Sequence, residues 1–364
     1  MAGAARAAAA RGAGGTRPAL GAGGTRPARA AAGRGPARGG GAAGRRRPPA
    51  PPRPHPAGRA APRARAAAPG AGPAAAGAAP RQRKRAATAV RTEAELRVAV
   101  GDPEVAAVDL GGGEVILTGQ LVVSRAVTVR SGALRCASGG VGSGYAVSVV
   151  GGGRLTLSGA SLQGVGVLVR GGGELRLDKG SELRGAPQTG IWVEGEGSRA
   201  AVVGGAVSGS QEGHGVAAEW GGRVTVRNAE VSGNWLSGVY CYGAGSSADV
   251  SGGSVSGSQH DDGVAVYGGG AVSVRNVDVS GNRWNGIHCT GEGSRAKVVG
   301  GRVSGSRVKH GIAAADGGRV TVRDTEVVAC RERAVECRGE GSVVEITVTR
   351  VVGPGDGVDE VTLA

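Results

Sequence analysis

The sequence predicts an all-β parallel solenoid that follows a disordered basic tail. Two observations lead to this fold class: a 48-residue repeat that begins at Gly221, and a sharp change in composition near residue 90. The chain has 364 residues and a net charge of +15, with four Trp, four Tyr and no Phe. So few aromatic residues argue against an aromatic core, and the abundance of Gly and Val argues against a helical bundle.

Residues 1–90 form a tail of unusual composition. They hold 18 basic residues, no acidic residue and 13 of the 16 prolines, which leaves 26 basic against 29 acidic residues in the remainder. Such a segment cannot bury enough apolar surface to offset the entropy of ordering it, so we predict disorder. Its basic clusters Arg45–Arg47 and Arg81–Arg85 allow nonspecific contact with nucleic acid. The simpler interpretation is that these clusters are solvated charges in a segment of biased composition, because no aromatic residue is interleaved for base stacking.

The sequence gives only weak signals of location. No stretch approaches 18 consecutive apolar residues, so no membrane-spanning helix and no membrane partner are expected. The N-terminus lacks the apolar core of a signal peptide, which favours an intracellular location. An organellar transit peptide remains an alternative for the Arg-rich tail, although such peptides are usually rich in Ser and the first serine here is Ser124.

The repeat defines the architecture of the remaining chain. It occurs three times, at Gly221–Cys241, Gly269–Cys289 and Gly317–Cys337. A related unit lies between the copies, so the structural step is about 24 residues. Apolar residues alternate within each unit and are separated by Gly, Asn or Ser, which predicts three short strands in each coil. Stacked in register, these coils form a parallel solenoid with an apolar axis.

Two columns of equivalent residues support this register. One turn position holds residues that tolerate a positive φ, and we predict a left-handed backbone there in every coil. Its members are Gly204, Asn228, Gly252, Asn276, Gly300 and Asp324. Cys241, Cys289 and Cys337 recur at an inward strand position two strand spacings apart, about 9.6 Å, which is too far for disulfides. We therefore expect three small core residues in a ladder.

These units resemble the parallel β-helix repeat of the pectin-lyase-like superfamily, in which V-x-V and G-[IV] strands are joined by Asn or Gly turns. The resemblance covers roughly residues 91–353. It implies a right-handed coil, as does the general preference of parallel crossovers. The expected domains are thus a tail of residues 1–90 and a right-handed parallel β-helix of residues 91–364. Thr92–Glu95 has the pattern of a capping box, which predicts a short helix at the N-terminal end of the solenoid.

One acid/base cluster suggests catalysis. Asp261 and Asp262 form a pair, and His214 and His310 lie near equivalent repeat positions. Polygalacturonase-like enzymes of the superfamily carry an Asp pair and a Gly-His-Gly motif, and hydrolysis of a glycosidic bond requires two carboxyl groups. Here the motif order is reversed, and His214 should lie about 9.6 Å from Asp262. These four residues are the catalytic candidates for a polysaccharide hydrolase, lyase or epimerase. The simpler interpretation is that they are variable turn residues without a catalytic role.

Planar side chains recur on one lateral face. The outward position of the G-[IV]-x-[CV] strand is large in alternate coils and Ala in the coils between. The large residues are Trp192, Tyr240, His288 and Glu336; Tyr242 and Tyr267 follow two positions later, and Trp235 and Trp284 lie in the preceding turns. Rings about 9.6 Å apart on a rigid face suit a linear carbohydrate. Exposed aromatic residues on strands also arise from β-propensity alone.

Three functions therefore stay open at the level of sequence. The lateral face binds a linear polysaccharide or a protein partner; or the domain is a polysaccharide hydrolase, lyase or epimerase; or it is a scaffold whose tail contacts nucleic acid. We expect no cofactor, no metal site and a monomer. Fold analogy alone does not decide among these functions.

Overall fold

The computed structural model of the protein describes residues 87–137, 144–328, 330–347 and 350–352. Residues 1–86, and with them nearly all of the predicted tail, lie outside the described residues. The boundary at residue 90 needs a correction. Thr88–Ala89 pairs as a strand with Ala107–Asp109, and Val90 is buried, so these residues already belong to the solenoid.

A short helix, α1, covers Glu93–Gly101 and lies at the N-terminal end of the solenoid. The predicted capping box is confirmed, because the Thr92 side chain accepts a hydrogen bond from Glu95 N and the Glu95 carboxylate accepts one from Thr92 N, each at 3.2 Å. The Arg125 guanidinium donates to carbonyls at the other end of the helix. No helix in the described part of the chain is long enough to cross a membrane.

All other regular structure in the described residues is β-strand. The strands, in chain order, are β1 Thr88–Ala89, β2 Ala107–Asp109, β3 Glu114–Leu117, β4 Leu121–Val123, β5 Ala126–Cys136, β6 Val147–Val149, β7 Arg154–Gln163, β8 Val167–Arg170, β9 Glu174–Leu177, β10 Glu182–Arg184, β11 Ile191–Glu194, β12 Arg199–Val203, β13 Ala206–Ser208, β14 Val216–Glu219, β15 Arg223–Ser232, β16 Val239–Tyr242, β17 Ser247–Ser256, β18 Val264–Tyr267, β19 Ala271–Ser280, β20 Ile287–Thr290, β21 Arg295–Ser304, β22 Ile312–Ala315, β23 Arg319–Arg323, β24 Glu326–Val328, β25 Val335–Arg338, β26 Val343–Thr347 and β27 Arg350–Val352.

The strands form two parallel sheets. A small sheet has ten strands, β4, β6, β8, β11, β14, β16, β18, β20, β22 and β25, and the other seventeen form a large sheet. The three strand runs predicted for each coil are present, but two of them often join into one bent strand such as β15. The bend lies at the predicted left-handed position: φ is 47° at Asn228, 52° at Asn276 and 51° at Asp324.

The interior of the solenoid follows the predicted register. Val226 lies opposite Val250, which lies opposite Val274, and all three are buried. Cys241 and Cys289 are buried core residues, as expected. Cys337 is exposed, which corrects the prediction for the third member of the ladder. It lies on β25, an end strand of the small sheet, where the ladder of described coils stops.

A charged substitution on the axis tests the register. Val274→Asp should destabilise the domain by several kcal/mol, because it buries an unpaired carboxylate between coils that pack only on their neighbours. Ser273→Asp is the matched control: its half-buried side chain lies on the outer face opposite Lys297, which can pair with the new carboxylate, so the change should cost much less than Val274→Asp. Chemical denaturation followed by circular dichroism measures both. Equal losses would contradict the assignment of inward and outward positions.

Candidate functional site

The outer face of the small sheet carries the planar column that the sequence predicts. Ala217 lies opposite both Trp192 and Tyr240, and Ala265 lies opposite both Tyr240 and His288. The planar groups therefore alternate with alanines from one coil to the next. Because the small side chains leave room, each ring is free to contact residues of neighbouring turns.

Tyr240 is the centre of a continuous set of rings. Its ring stacks on His214 with 4.2 Å between centroids, and it lies 6.3 Å from the nearly parallel ring of Tyr242. The Tyr267 ring is 5.7 Å away on the next strand. We call these four residues from three consecutive coils the Tyr240 cluster. Tyr242 and Tyr267 lie directly opposite each other on neighbouring strands, and the rings of both residues contact Tyr240.

Three tryptophans lie at the rim of this surface. Trp235 and Trp284, in the turns before the strands, are 39% and 43% exposed, as the sequence leads one to expect. Trp235 lies 3.7 Å from the ring of His260. The sequence analysis missed Trp220, which is 58% exposed and meets the Tyr242 ring edge-on at 5.1 Å.

The two ends of the planar column differ from its middle. Trp192 contacts the Tyr145 ring, with 5.5 Å between centroids. Glu336 continues the column opposite Ala313, and its carboxylate is bound by Arg333 at 2.6 Å. The column therefore passes from rings to an ion pair at its C-terminal end.

A hydrogen-bond ladder runs through the turns that precede the small-sheet strands. At most of its positions a side chain accepts a hydrogen bond of 2.8–3.2 Å from the backbone N–H of the equivalent residue one coil later. Its members are Thr189, His214, Ser237, Asp262, Asn285 and His310. Three of the four catalytic candidates thus share one structural position, as their near-equivalent places in the repeat indicate; what the sequence did not show is that this position forms a hydrogen-bond ladder.

Ser237 departs from this pattern and links two of the candidates. Its backbone N–H donates to Nδ1 of His214 at 3.2 Å, and its hydroxyl donates to Oδ2 of Asp261 at 2.7 Å. His214 and the Asp261–Asp262 pair were expected two coils apart. In the structure, Ser237 lies between them and hydrogen-bonds to both His214 and Asp261.

Asp262 is the buried anchor of the site. Its side chain is fully buried, and Oδ1 accepts hydrogen bonds from the backbone and side-chain nitrogens of Asn285 at 2.8 and 2.7 Å. Oδ2 lies 3.0 Å from Nδ1 of His288, and that nitrogen lies 3.1 Å from the Tyr267 hydroxyl. We call Asp262, His288 and Tyr267 the Asp262 group. In the tautomer of a neutral His288 that donates Nδ1–H to the carboxylate, Nε2 carries the lone pair.

Carboxylates set the electrostatic field around the rings. Burial raises the pKa of Tyr240 to about 12, and the charges of Glu219 and Asp261 add to this effect. Burial also raises the pKa of Tyr267, with Asp262 and Asp261 contributing. The pKa values of Asp261 and Glu219 are themselves raised by burial. Glu219 is a second residue that the sequence analysis missed.

The histidine candidates are held in their neutral form by burial. Burial lowers the pKa of His214 to about 4, and it lowers the pKa of His310 as well. His310 Nε2 lies 3.2 Å from Glu332, so His310 belongs to a separate ion-pairing region beyond Asn285. No group of three or more His, Cys, Asp or Glu side chains within the described ranges could hold a metal ion.

Comparison with known proteins assigns the fold. A family model described as the right handed beta helix region matches residues 145–303 and 245–361, which together span more than half of the chain. The chain therefore belongs to the right-handed β-helix family, and the resemblance drawn from its repeats is confirmed. No curated protein sequence matches the chain.

Two solved structures are similar in fold. A mutant of the periplasmic alginate epimerase AlgG has a TM-score of 0.52 and 13% identity, over 68% of this chain and 74% of that one. The catalytic domain of a GH87 alpha-1,3-glucanase in complex with tetrasaccharides has a TM-score of 0.42 and 10% identity, over 73% and 58%. At these identities the likeness concerns the fold alone.

The stability of the ladder should depend on pH through His214. The folded protein protonates this ring near pH 4, whereas the unfolded chain does so near the ordinary value of 6.5. The contribution is therefore complete above pH 6.5 and is lost as the pH falls through 4, by about 3 kcal/mol at most.

His214→Asn is the matched variant, because Asn285 already occupies an equivalent ladder position and its amide can accept the same hydrogen bond. Urea unfolding between pH 4 and 7 should show a shallower loss for this variant than for the natural protein. Parallel pH profiles would mean that His214 is not held neutral by the fold.

Proposed function

We propose that the outer face of the small sheet binds a linear, uncharged polysaccharide that runs along the solenoid axis. One observation carries this proposal: the Tyr240 cluster forms a continuous ring surface across three consecutive coils. Aromatic rings with a polar edge combine apolar contact area with hydrogen-bonding groups. A sugar offers the matching combination of C–H faces and hydroxyl groups.

The charges around the cluster favour an uncharged chain. Glu219 raises the pKa of Tyr240 and Asp262 raises that of Tyr267, so the carboxylates around the rings make their surroundings negative. An anionic sugar would meet repulsion from like charges in a partly dehydrated setting. We therefore expect neutral polysaccharides to bind better than polyuronates of equal length.

The exposed tryptophans at the rim of the surface favour a chain of sugars over a single sugar as the ligand. Trp235 and Trp284 stand 39% and 43% exposed in turns two coils apart, beside the column of planar groups. Two exposed indoles separated along the axis can contact successive sugar units. The alginate epimerase that is similar in fold is named for a polysaccharide substrate, which supports testing polysaccharides first.

Removing the central ring tests the proposal. Tyr240→Ala should weaken binding of neutral hexasaccharides by about 1 kcal/mol, roughly fivefold in Kd, because it removes the ring that His214, Tyr242 and Tyr267 surround. Tyr240→Phe keeps the ring and should retain most of the affinity. Isothermal titration calorimetry against chains of two to six sugars measures both.

The length dependence provides a further criterion. Affinity should rise with each added sugar until the ring surface is covered. If no neutral oligosaccharide binds the intact protein, or if Tyr240→Ala and the natural protein bind equally well, the proposal fails.

A second function, hydrolysis of the bound chain, is favoured by the Asp262 group. A histidine whose Nδ1 is held by a buried carboxylate is oriented to accept a proton at Nε2. Asp262 itself is unsuited to attack because both of its oxygens accept hydrogen bonds. Asp261, whose pKa is raised by burial, is suited to donate a proton to the leaving oxygen.

The reaction proposed for these residues is direct displacement by water. His288 Nε2 takes a proton from water as the water oxygen bonds to the anomeric carbon. The glycosidic C–O bond breaks, and its oxygen receives the Asp261 proton.

Loss of turnover without loss of binding distinguishes this second function. His288→Gln should abolish release of reducing sugar from a neutral polysaccharide and leave Kd within about threefold. His310→Asn is the control, because His310 lies outside the Asp262 group and pairs with Glu332. Equal turnover in His288→Gln and the natural protein would exclude His288 as the base.

A further inference from the structure

A second surface, on the outer face of the large sheet, carries the opposite charge. A groove of about 550 Å³ crosses strands β19, β21, β23 and β26. Arg295, Lys297 and Arg319 line it, and Glu345 is the one carboxylate-bearing residue among its described lining. The groove shares no lining residue with the Tyr240 cluster, which lies on the small sheet.

The register brings the three cations together. Arg295 lies directly opposite Arg319 on the next strand, and strands are spaced by about 4.8 Å. Lys297 follows Arg295 on the same side of β21 and lies between Ser273 and Thr321. Like charges directly opposite each other destabilise a sheet. This arrangement therefore lowers stability in the absence of a bound anion.

None of the three cations has a carboxylate partner within ion-pair distance among the described residues. Some other cations of the large sheet are paired: Arg275 contacts Asp249 at 2.7 Å, and Arg154 contacts Glu174 at 2.8 Å. Arg199 and Arg223, in an earlier coil of the same sheet, likewise have no carboxylate within ion-pair distance among the described residues, so what sets this groove apart is its third cation, Lys297, and its single acidic residue.

A neutral side chain in the groove also lacks a partner. The Ser273 hydroxyl is buried and forms no hydrogen bond to the described residues. Leaving a buried hydroxyl without a hydrogen-bond partner is unfavourable. An anion oxygen seated beside Lys297 would give this hydroxyl an acceptor.

An equivalent groove four coils earlier provides an internal comparison. It has a volume of about 450 Å³ and is lined by Arg199 and Arg223, which occupy the positions of Arg295 and Arg319. Ala201 stands where the other groove has Lys297, and two acidic residues, Glu174 and Glu196, line it as well. The earlier groove therefore has the same arginines without the excess of positive charge.

We propose that the groove of Arg295, Lys297 and Arg319 binds a tetrahedral oxyanion, either a phosphate or a sulfate group. Guanidinium groups donate paired hydrogen bonds to such oxygens, and an ammonium adds a third, mobile cation. The Ser273 and Thr321 hydroxyls lie in register on either side of Lys297 and complete the donors. The group can belong to a free ion or to an ester on a larger ligand.

Calorimetric titration of the full chain with sodium sulfate and with sodium phosphate, at constant ionic strength, tests the proposal. The double variant Arg295→Ser, Arg319→Ser should bind either ion at least tenfold more weakly than the natural protein. The matched control Arg199→Ser, Arg223→Ser removes the same charge and should stay within twofold. Both variants keep the 18 basic residues of positions 1–90, so the contribution of that segment cancels.

Two further measurements keep the outcome decisive. Lys297→Gln, a single exposed substitution, should weaken sulfate binding about threefold even if the double variant folds poorly. Glucose 6-phosphate and glucose 6-sulfate distinguish the two esters, and tighter binding of either supports the proposal. Equal losses in the groove variant and the control, no loss in either, or binding of an oligonucleotide without binding of the free ions would overturn it.

Discussion

In-register stacking of the coils is the constraint on which the rest of the structure depends. Each strand hydrogen-bonds to the equivalent strand one coil later, so residues about 24 positions apart lie about 4.8 Å apart. A coil has no core of its own and buries its valines only against its neighbours. The side chain at each position therefore has to pack against the equivalent side chains in the coils before and after it.

The surface chemistry of the protein follows from these columns. A column of turn residues gives the hydrogen-bond ladder, a column of strand residues gives the planar groups, and a column at the start of the large-sheet strands gives Arg295 beside Arg319. The same stacking that orders the backbone thus produces rings on one face and cations on another. Because carboxylates surround the Tyr240 cluster and cations line the groove on the large sheet, the two surfaces are suited to different ligands.

Properties that depend on the period alone could be predicted from the sequence. The left-handed turn at Asn228, the buried Cys241 and the alternation of Tyr240 with alanines all follow once the 24-residue step is known. Cys337 departs from the prediction because periodicity does not say where the stack ends. The tail boundary was placed three residues too late for the strand Thr88–Ala89, since a two-residue strand leaves almost no periodic signal.

Contacts within and between turns could not be predicted in this way. The stacking of His214 on Tyr240 and the bridge from Ser237 to Asp261 depend on how each turn folds back over its strand. A clue was nevertheless present, because a residue with a hydrogen-bond acceptor stands two positions before each of six consecutive small-sheet strands, β11, β14, β16, β18, β20 and β22. No sequence signal indicated that Asp262 is buried beneath His288. The strand spacing gives the distance between the two coils, but it does not say whether a side chain of one coil reaches a side chain of the next.

A crystal structure of the protein soaked with a linear neutral hexasaccharide would test the central claim most directly. The account predicts sugar rings stacked over Tyr240 and extending along the solenoid axis towards His288, with the chain passing beside Trp235 and Trp284. Sugar bound elsewhere on the solenoid, with the Tyr240 cluster left bare at saturating ligand, would contradict the account.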